Sequence, residues 1–399
     1  MGHVSSPLIM KPLRFVPLDV AACVAFLAYS ASATVTPIVL VQMSRELGFG
    51  LAEGGGLEVG RSALIFLTLL GSGFLAAHFG KARSLGMSLL LLGLGMILYS
   101  RAESYGVLLM ALALAGVGGG ILEALINPLV EELHRGESGP YLNIINGFWS
   151  VGVLVTVLLG GEQITRSGEW RPVLQTVAGV SLLAGILFLG LRNLGPPRQR
   201  ISMGHVLGHK LEILRNRGFW LFTALMFFGG AAEGSFTFWS ASYVQLVHGG
   251  SARAGGWGAG LFSLGMIVTR FAGGWWGKPG RMEPFVRASM VLGLVVSIAF
   301  PFLPPGPLFG LGLFLAGVSV ASFWPSLQSL AVDRLPLDPT ALFILLSCGG
   351  IAGFSFSSWL VGLLGEHLGL SKAFGVVPLL FLVLLGLFRG SRTSGVERA

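Results

Sequence analysis

The chain has 399 residues, 53% of them hydrophobic and only 11% charged, with a mean hydropathy of +0.79. A soluble domain carries roughly 25% charged residues, so a water-soluble fold is excluded. The formal charge of +8 does not mark a nucleic-acid partner, because the basic residues are spread over short loops with no recognition module beside them.

Apolar stretches long enough to cross a bilayer fall at 18–42, 60–80, 84–100, 105–130, 141–161, 172–191, 219–245, 256–276, 285–302, 307–330, 340–364 and 373–389. The sequence therefore predicts an all-α polytopic membrane protein with twelve transmembrane helices. No signal-peptide cleavage pattern precedes the first stretch, which is too long for an h-region. Basic residues gather at Lys11 and Arg14, Lys81 and Arg83, Arg135, the run from Arg192 to Arg217, Lys278, Arg281 and Arg287, Arg334, and Arg389 and Arg392. These are alternate loops plus both termini, which predicts a prokaryotic cytoplasmic-membrane protein with both ends cytoplasmic.

A polar segment with Pro196, Pro197, Arg198 and Lys210 divides the chain after the sixth span. The expected organisation is a cytoplasmic segment 1–17, a six-helix bundle 18–192, a linker 193–217, a second six-helix bundle 218–389 and a tail 390–399. The halves share short repeats: Ala-Gly-Val at 115–117 and 316–318, and Phe-Gly-Lys at 79–81 against Trp-Gly-Lys at 276–278. Parallel repeats imply a central cavity exposed alternately by rocking of the halves. No selectivity-filter pattern favours a channel.

Span one contributes Tyr29 as a candidate cavity residue. Glu58 and Arg61, spaced i,i+3, read as a surface or gate pair near the mouth of span two. Span four carries Glu123 amid apolar residues, and a charge in hydrocarbon costs several kcal/mol, which makes it a functional-site candidate. It suits a proton-exchanging carboxylate or an acceptor for a polar solute; internal helix pairing is the alternative. Asn127 lies one turn on, and Pro128 frees the Ala124 carbonyl and is expected to kink the helix. Asn143 and Asn146 form a second polar pair at the start of span five, where amides can both donate and accept for a hydroxyl-rich solute, or join helices.

In span seven, Glu233 sits among small residues with Trp239 nearly two turns later, a carboxylate and an aromatic face of the kind that meets a sugar; a glycine-rich packing seam is the alternative. Arg270 in span eight keeps its charge at all accessible pH, and structural pairing or gating, with Glu233 as one partner, is the expected role. Span ten puts Trp324 opposite Glu123 in the repeat, followed by Pro325 and Gln328. Cys23 and Cys348 read as packing residues, and neither a metal site nor a nucleophile triad is visible, so no enzyme and no cofactor is expected.

These residues resemble the major facilitator superfamily from about Asp19 to Arg389. The stretch Gly73-Phe-Leu-Ala-Ala-His78-Phe-Gly80-Lys81-Ala-Arg83 is similar to the family's glycine-and-basic motif between helices two and three, with Ala77 in its acidic position and His78 in a basic one. The resemblance implies a gating role for Gly73, His78, Gly80, Lys81 and Arg83, with the charge contact weakened or supplied elsewhere. Leu122 to Pro128 and the Asn143/Asn146/Phe148/Gly152 spacing resemble the fucose permease branch, as do Gly229, Glu233 and Trp239. That branch implies Glu123 as cavity carboxylate, with Asn143 and Glu233 around the solute. Its first-helix carboxylate is missing between Tyr29 and Pro37, and Asp19 is a doubtful substitute.

The reading is a monomeric secondary transporter for a monosaccharide or similar polyhydroxylated solute, working by alternating access as a proton symporter. Glu123 and Glu233 carry the proton; Tyr29, Glu123, Asn127, Asn143, Asn146, Glu233, Trp239, Trp324 and Gln328 surround the solute; Arg270 serves gating or structure. Na+ is the alternative coupling ion. An exporter of amphipathic drugs or lipids, and a non-transporting receptor or scaffold, are the rival functions. The expected partners are the small-molecule solute and membrane lipids, with no nucleic acid.

Overall fold

The computed structural model describes residues 14–134, 138–196, 213–276, 282–337 and 339–393. Most of the expected linker and tail, with Lys11, Arg135, Lys210, Lys278 and Arg281, lies outside them. In the first half the chain runs through α1 (Pro17–Leu47), α2 (Leu51–Phe79), α3 (Lys81–Ser100), α4 (Tyr105–Leu133), α5 (Ser138–Ser167) and α6 (Arg171–Gly190). The second half follows with α7 (Arg217–Leu246), α8 (Ala252–Trp276), α9 (Met282–Ala299), α10 (Pro307–Val320), α11 (Phe323–Arg334), α12 (Pro339–Leu368), the short α13 (Leu370–Ala373) and α14 (Val376–Thr393). Among the described residues ten helical stretches are apolar and long enough to cross a membrane. The remaining two, α2 and α8, have 29 and 25 residues, enough at about 1.5 Å per residue to span a core of about 30 Å.

Two breaks follow from residue chemistry. Pro325 lacks an N–H for the Ala321 carbonyl, and a turn at Ala321 and Ser322 divides the tenth span into α10 and α11. At Pro128 the expected kink leaves no break, for α4 is continuous through it. Gly80, at φ 85°, separates α2 from α3 in a backbone conformation that a side chain would disfavour. There Lys81 pairs with Glu132 near the end of α4, Arg83 lies over the Phe79 ring at 5.9 Å, and His78 stacks edge-on against Phe79 at 4.6 Å. Glu132 thus holds the basic motif where Ala77 offers no charge. Nothing is described of the surroundings of Gly73.

Helices of the two halves meet where α1 packs on α7, α2 on α12 and α5 on α8. The closest approaches lie at the end of the bundle opposite the chain termini. Gly55 of α2 faces the Ser358 carbonyl of α12, and Gly256 of α8 faces the Val157 carbonyl of α5. Among the described residues, the hydrogen bonds joining the halves lie at this far end: Gln42 to Gln245 at 3.1 Å, the Ala52 N–H to Glu366 at 3.0 Å, the Arg253 N–H to Thr165 at 2.8 Å, and the Arg253 side chain to Glu162 at 2.5 and 3.0 Å. At the terminal end, the ion pairs among the described residues lie within one half: Asp19 with His134, Lys81 with Glu132, and Arg334 with Glu283. The bundle is therefore clamped at its far end.

Candidate solute and proton site

Glycines set the position of α4. Gly116 and Gly120 admit the backbone of α2, Gly118 that of α3, and Gly119 the ring of Tyr29 from α1. One turn beyond Gly119, the same face carries Glu123, and one turn further Asn127; both are partly exposed. The Tyr29 hydroxyl faces the Glu123 carboxylate. Tyr29 itself is buried and packs edge-on against Trp149 of α5, with ring centroids 4.8 Å apart. It is thus a support under Glu123 that reaches the site through its hydroxyl, rather than an open cavity wall.

The Glu58–Arg61 pair corrects its expected place at a surface. Both side chains are buried in α2, and Arg61 meets both carboxylate oxygens of Glu58, Nε at 2.9 Å and Nη2 at 2.6 Å. Ser62 adds a third donor at 3.1 Å. A bidentate fork of this kind satisfies the guanidinium locally. Arg61 still acts on Glu123 through space, but Glu123 has no ion-pair partner among the described residues.

The asparagines join differently from the expected Asn143/Asn146 pair. Asn146 donates across the helix interface to the Asn127 side-chain carbonyl at 3.0 Å and to the Leu142 carbonyl at 2.8 Å. The side chain of Asn143 lies outside the described residues. The polar wall therefore runs from Tyr29 through Glu123 and Asn127 to Asn146, with an amide bridge from α4 to α5.

In the second half Glu233 is buried in the middle of α7. Trp324 of α11 faces it, and the Trp324 ring lies over Gly350 of α12, where a Cβ would stand 2.7 Å from it. Arg270 reaches across from α8 to 3.8 Å from Glu233 Oε1. The other carboxylate oxygen, Oε2, is buried with no hydrogen-bond partner. Each half thus links its first and fourth spans by a carboxylate and an aromatic side chain, with the acid on α4 in one half and on α7 in the other. Packing of α1 on α7 places these two linkages on facing helices.

Trp239 and Gln328 do not line the site. Trp239 is fully buried and donates to the Ser358 carbonyl of α12 at 2.9 Å, making it a strut between helices. Its expected solute contact is corrected, because a neighbour helix covers the ring. Gln328 is likewise buried, donating to Ser347 at 2.9 Å and to the Phe343 carbonyl at 3.3 Å. Trp239→Phe removes one buried hydrogen bond and is expected to cost about 1 kcal/mol of stability. A thermal melt and a transport assay check this: the melting temperature falls, while KM stays within about twofold of the unaltered chain because Trp239 does not touch solute.

Sequence reasoning missed the clasp near the termini. Asp19 is fully buried, and His134 approaches both its oxygens at 2.9 Å while stacking flat on Tyr141 at 3.5 Å. Asp19 also accepts from the Val16 N–H at 2.7 Å as part of the α1 N-terminal cap. It stands in the N-terminal cap of α1, ten residues before Tyr29. An acidic residue in the first turn of a predicted span was the signal for a cap, and in α1 it lies three positions after the N-cap Val16.

A bundle of two six-helix halves, clamped at one end and carrying acids at mid-span, is the architecture of an alternating-access membrane transporter. The chain belongs to the Major Facilitator Superfamily, whose family model matches residues 21–354. Among its relatives is the "Membrane protein MosC" of Rhizobium meliloti, 25% identical over 340 residues and matched over 83% of this chain and 77% of that one. The puromycin resistance protein pur8 of Streptomyces alboniger is 33% identical over 171 residues, 42% of this chain and 32% of its own. Among solved structures, the inward-facing, occupied bacterial homolog of the human lysosomal transporter Spinster superposes with a TM-score of 0.79 at 14% identity, over 95% of this chain and 97% of that one. The Escherichia coli fucose:proton symporter variant gives 0.64 at 17% identity, over 94% and 98%. The chain is an integral membrane transporter of small molecules and not an enzyme.

Proposed function

We propose that the chain carries a small polyhydroxylated solute across the membrane by alternating access, in symport with protons taken up by Glu123. The observation that carries this reading is the state of Glu123. It is a mid-span carboxylate, partly exposed, beside the neutral Tyr29 hydroxyl and without an ion-pair partner among the described residues, while the nearby Arg61 is occupied by Glu58. An acid so placed can gain and lose a proton without breaking a salt bridge. The Asn127–Asn146 amides and the free oxygen of Glu233 supply hydrogen-bonding groups for hydroxyls. The names of two structural neighbours, a fucose:proton and a D-xylose-proton symporter, support the same class. With both termini cytoplasmic, as the basic residues favour, the clamped far end is the outer one and the site opens inward.

A second reading is export of amphipathic compounds. It is favoured by an apolar groove of about 570 Å³ between α2 and α12, lined by Val59, Phe66, Ile351, Phe356 and Trp359, and by the puromycin resistance relative. Purified protein in liposomes decides between them, with labelled monosaccharides tested under separate proton and sodium gradients. Accumulation driven by protons alone supports the proposal, and sodium dependence would move the coupling ion. Absence of sugar flux under both gradients would leave the exporter reading.

A further inference from the structure

The two mid-membrane arginines differ in one respect. Arg61 has its donors engaged by both oxygens of Glu58, whereas Arg270 makes no hydrogen bond among the described residues. Its one ionic neighbour, Glu233 Oε1, stands at 3.8 Å, beyond hydrogen-bond reach. Its side chain is 31% exposed. An arginine cannot discard its charge, and presenting it to hydrocarbon is costly, so an unfilled guanidinium at this depth belongs against a polar cavity. Beside it lies a second unfilled group, the buried Oε2 of Glu233. Trp324 of α11 faces the same carboxylate. Acceptor and donor fork are therefore adjacent and both incompletely used.

We infer that this pair recognises an anionic member of the solute class proposed above, a sugar acid or similar polyhydroxylated carboxylate, with Arg270 as the residue that binds the carboxylate. The inference rests on that functional reading and deepens it. A guanidinium offers parallel N–H donors matched to two carboxylate oxygens, and a loose contact at 3.8 Å is readily exchanged for a direct one. When Glu233 is protonated the pair keeps one positive charge, which a single carboxylate neutralises. A doubly charged phosphate would leave a negative charge uncompensated in the membrane. The charged groups facing this place are Glu233 from α7 and Arg270 from α8, with Trp324 contributing a neutral N–H from α11. Solute hydroxyls then donate to the free acceptor of Glu233.

The test is equilibrium binding of D-glucuronate and D-glucose to the purified full chain and to Arg270→Gln. D-glucuronate is expected to bind at least about tenfold more tightly than D-glucose, and Arg270→Gln to erase the difference while retaining D-glucose binding. Equal binding of both sugars by the unaltered chain, or a preference that survives Arg270→Gln, overturns the inference and leaves the proposed function standing. Binding of neither overturns both. If the variant does not fold, the comparison of the two sugars on the unaltered chain still decides.

Discussion

Glu123→Gln is expected to lower proton-driven accumulation of solute about 100-fold, equivalent to about 2.7 kcal/mol of lost coupling. The amide matches the carboxylate in size and keeps a polar group beside the Tyr29 hydroxyl, so the wall formed by α1, α4 and α5 stays in place. What disappears is the exchangeable proton. Solute exchange between the two sides, which needs no net proton movement, should therefore persist in the same variant. Glu123→Asp separates geometry from charge: it keeps the ionisable group but withdraws it by one methylene from Tyr29, and an intermediate rate is expected. Uptake and counterflow in liposomes measure both quantities, and undiminished proton-driven uptake by the glutamine variant would remove Glu123 from the mechanism.

The charged members of this site were legible because a bilayer makes them conspicuous. Glu123, Glu233 and Arg270 interrupt apolar runs, and the cost of burying charge selects them for a reason. Their partners were harder to read. Asn146 sits three residues from Asn143, which suggests a pair on one helix, yet it bonds to Asn127 on another; sequence spacing carries no information about which helix lies opposite. Trp239 stood on a helix that is apolar nearly all round, so periodicity did not separate the face toward solute from the face toward α12. The start of span two was placed near residue 60 because Glu53, Glu58 and four glycines depress hydropathy there, whereas α2 begins at Leu51. That shift is why Glu58 and Arg61 looked like mouth residues and are instead buried in the protein. The architecture of two six-helix halves survived these errors, since it follows from the number and length of apolar runs rather than from any one face.

Transport also requires the far end to open, and the glycines that close it can be used to prevent closure. A Cβ on Gly55 would stand 2.2 Å from the Ser358 carbonyl oxygen, and one on Gly256 would stand 2.4 Å from that of Val157. Both contacts cross between the halves and meet backbone, which has no rotamer to yield. Gly353 is different: its Cβ would lie 1.8 Å from the Phe227 carbonyl oxygen within the second half, where the packing persists whichever end is open. Gly353→Val is therefore expected to damage folding, with overpacking costs of about 1–3 kcal/mol or more. Gly55→Val and Gly256→Val should instead fold with the far end splayed and cut transport by at least about tenfold, because the cost falls on the clamped state alone. With Cys23 and Cys348 replaced by Ser, a cysteine introduced at Gln42, which bridges to Gln245 in the clamped state, reports the opening. Its reaction with a membrane-impermeant thiol reagent from the far side should rise in both glycine variants. Unchanged labelling together with full transport would mean that these crossings do not control closure.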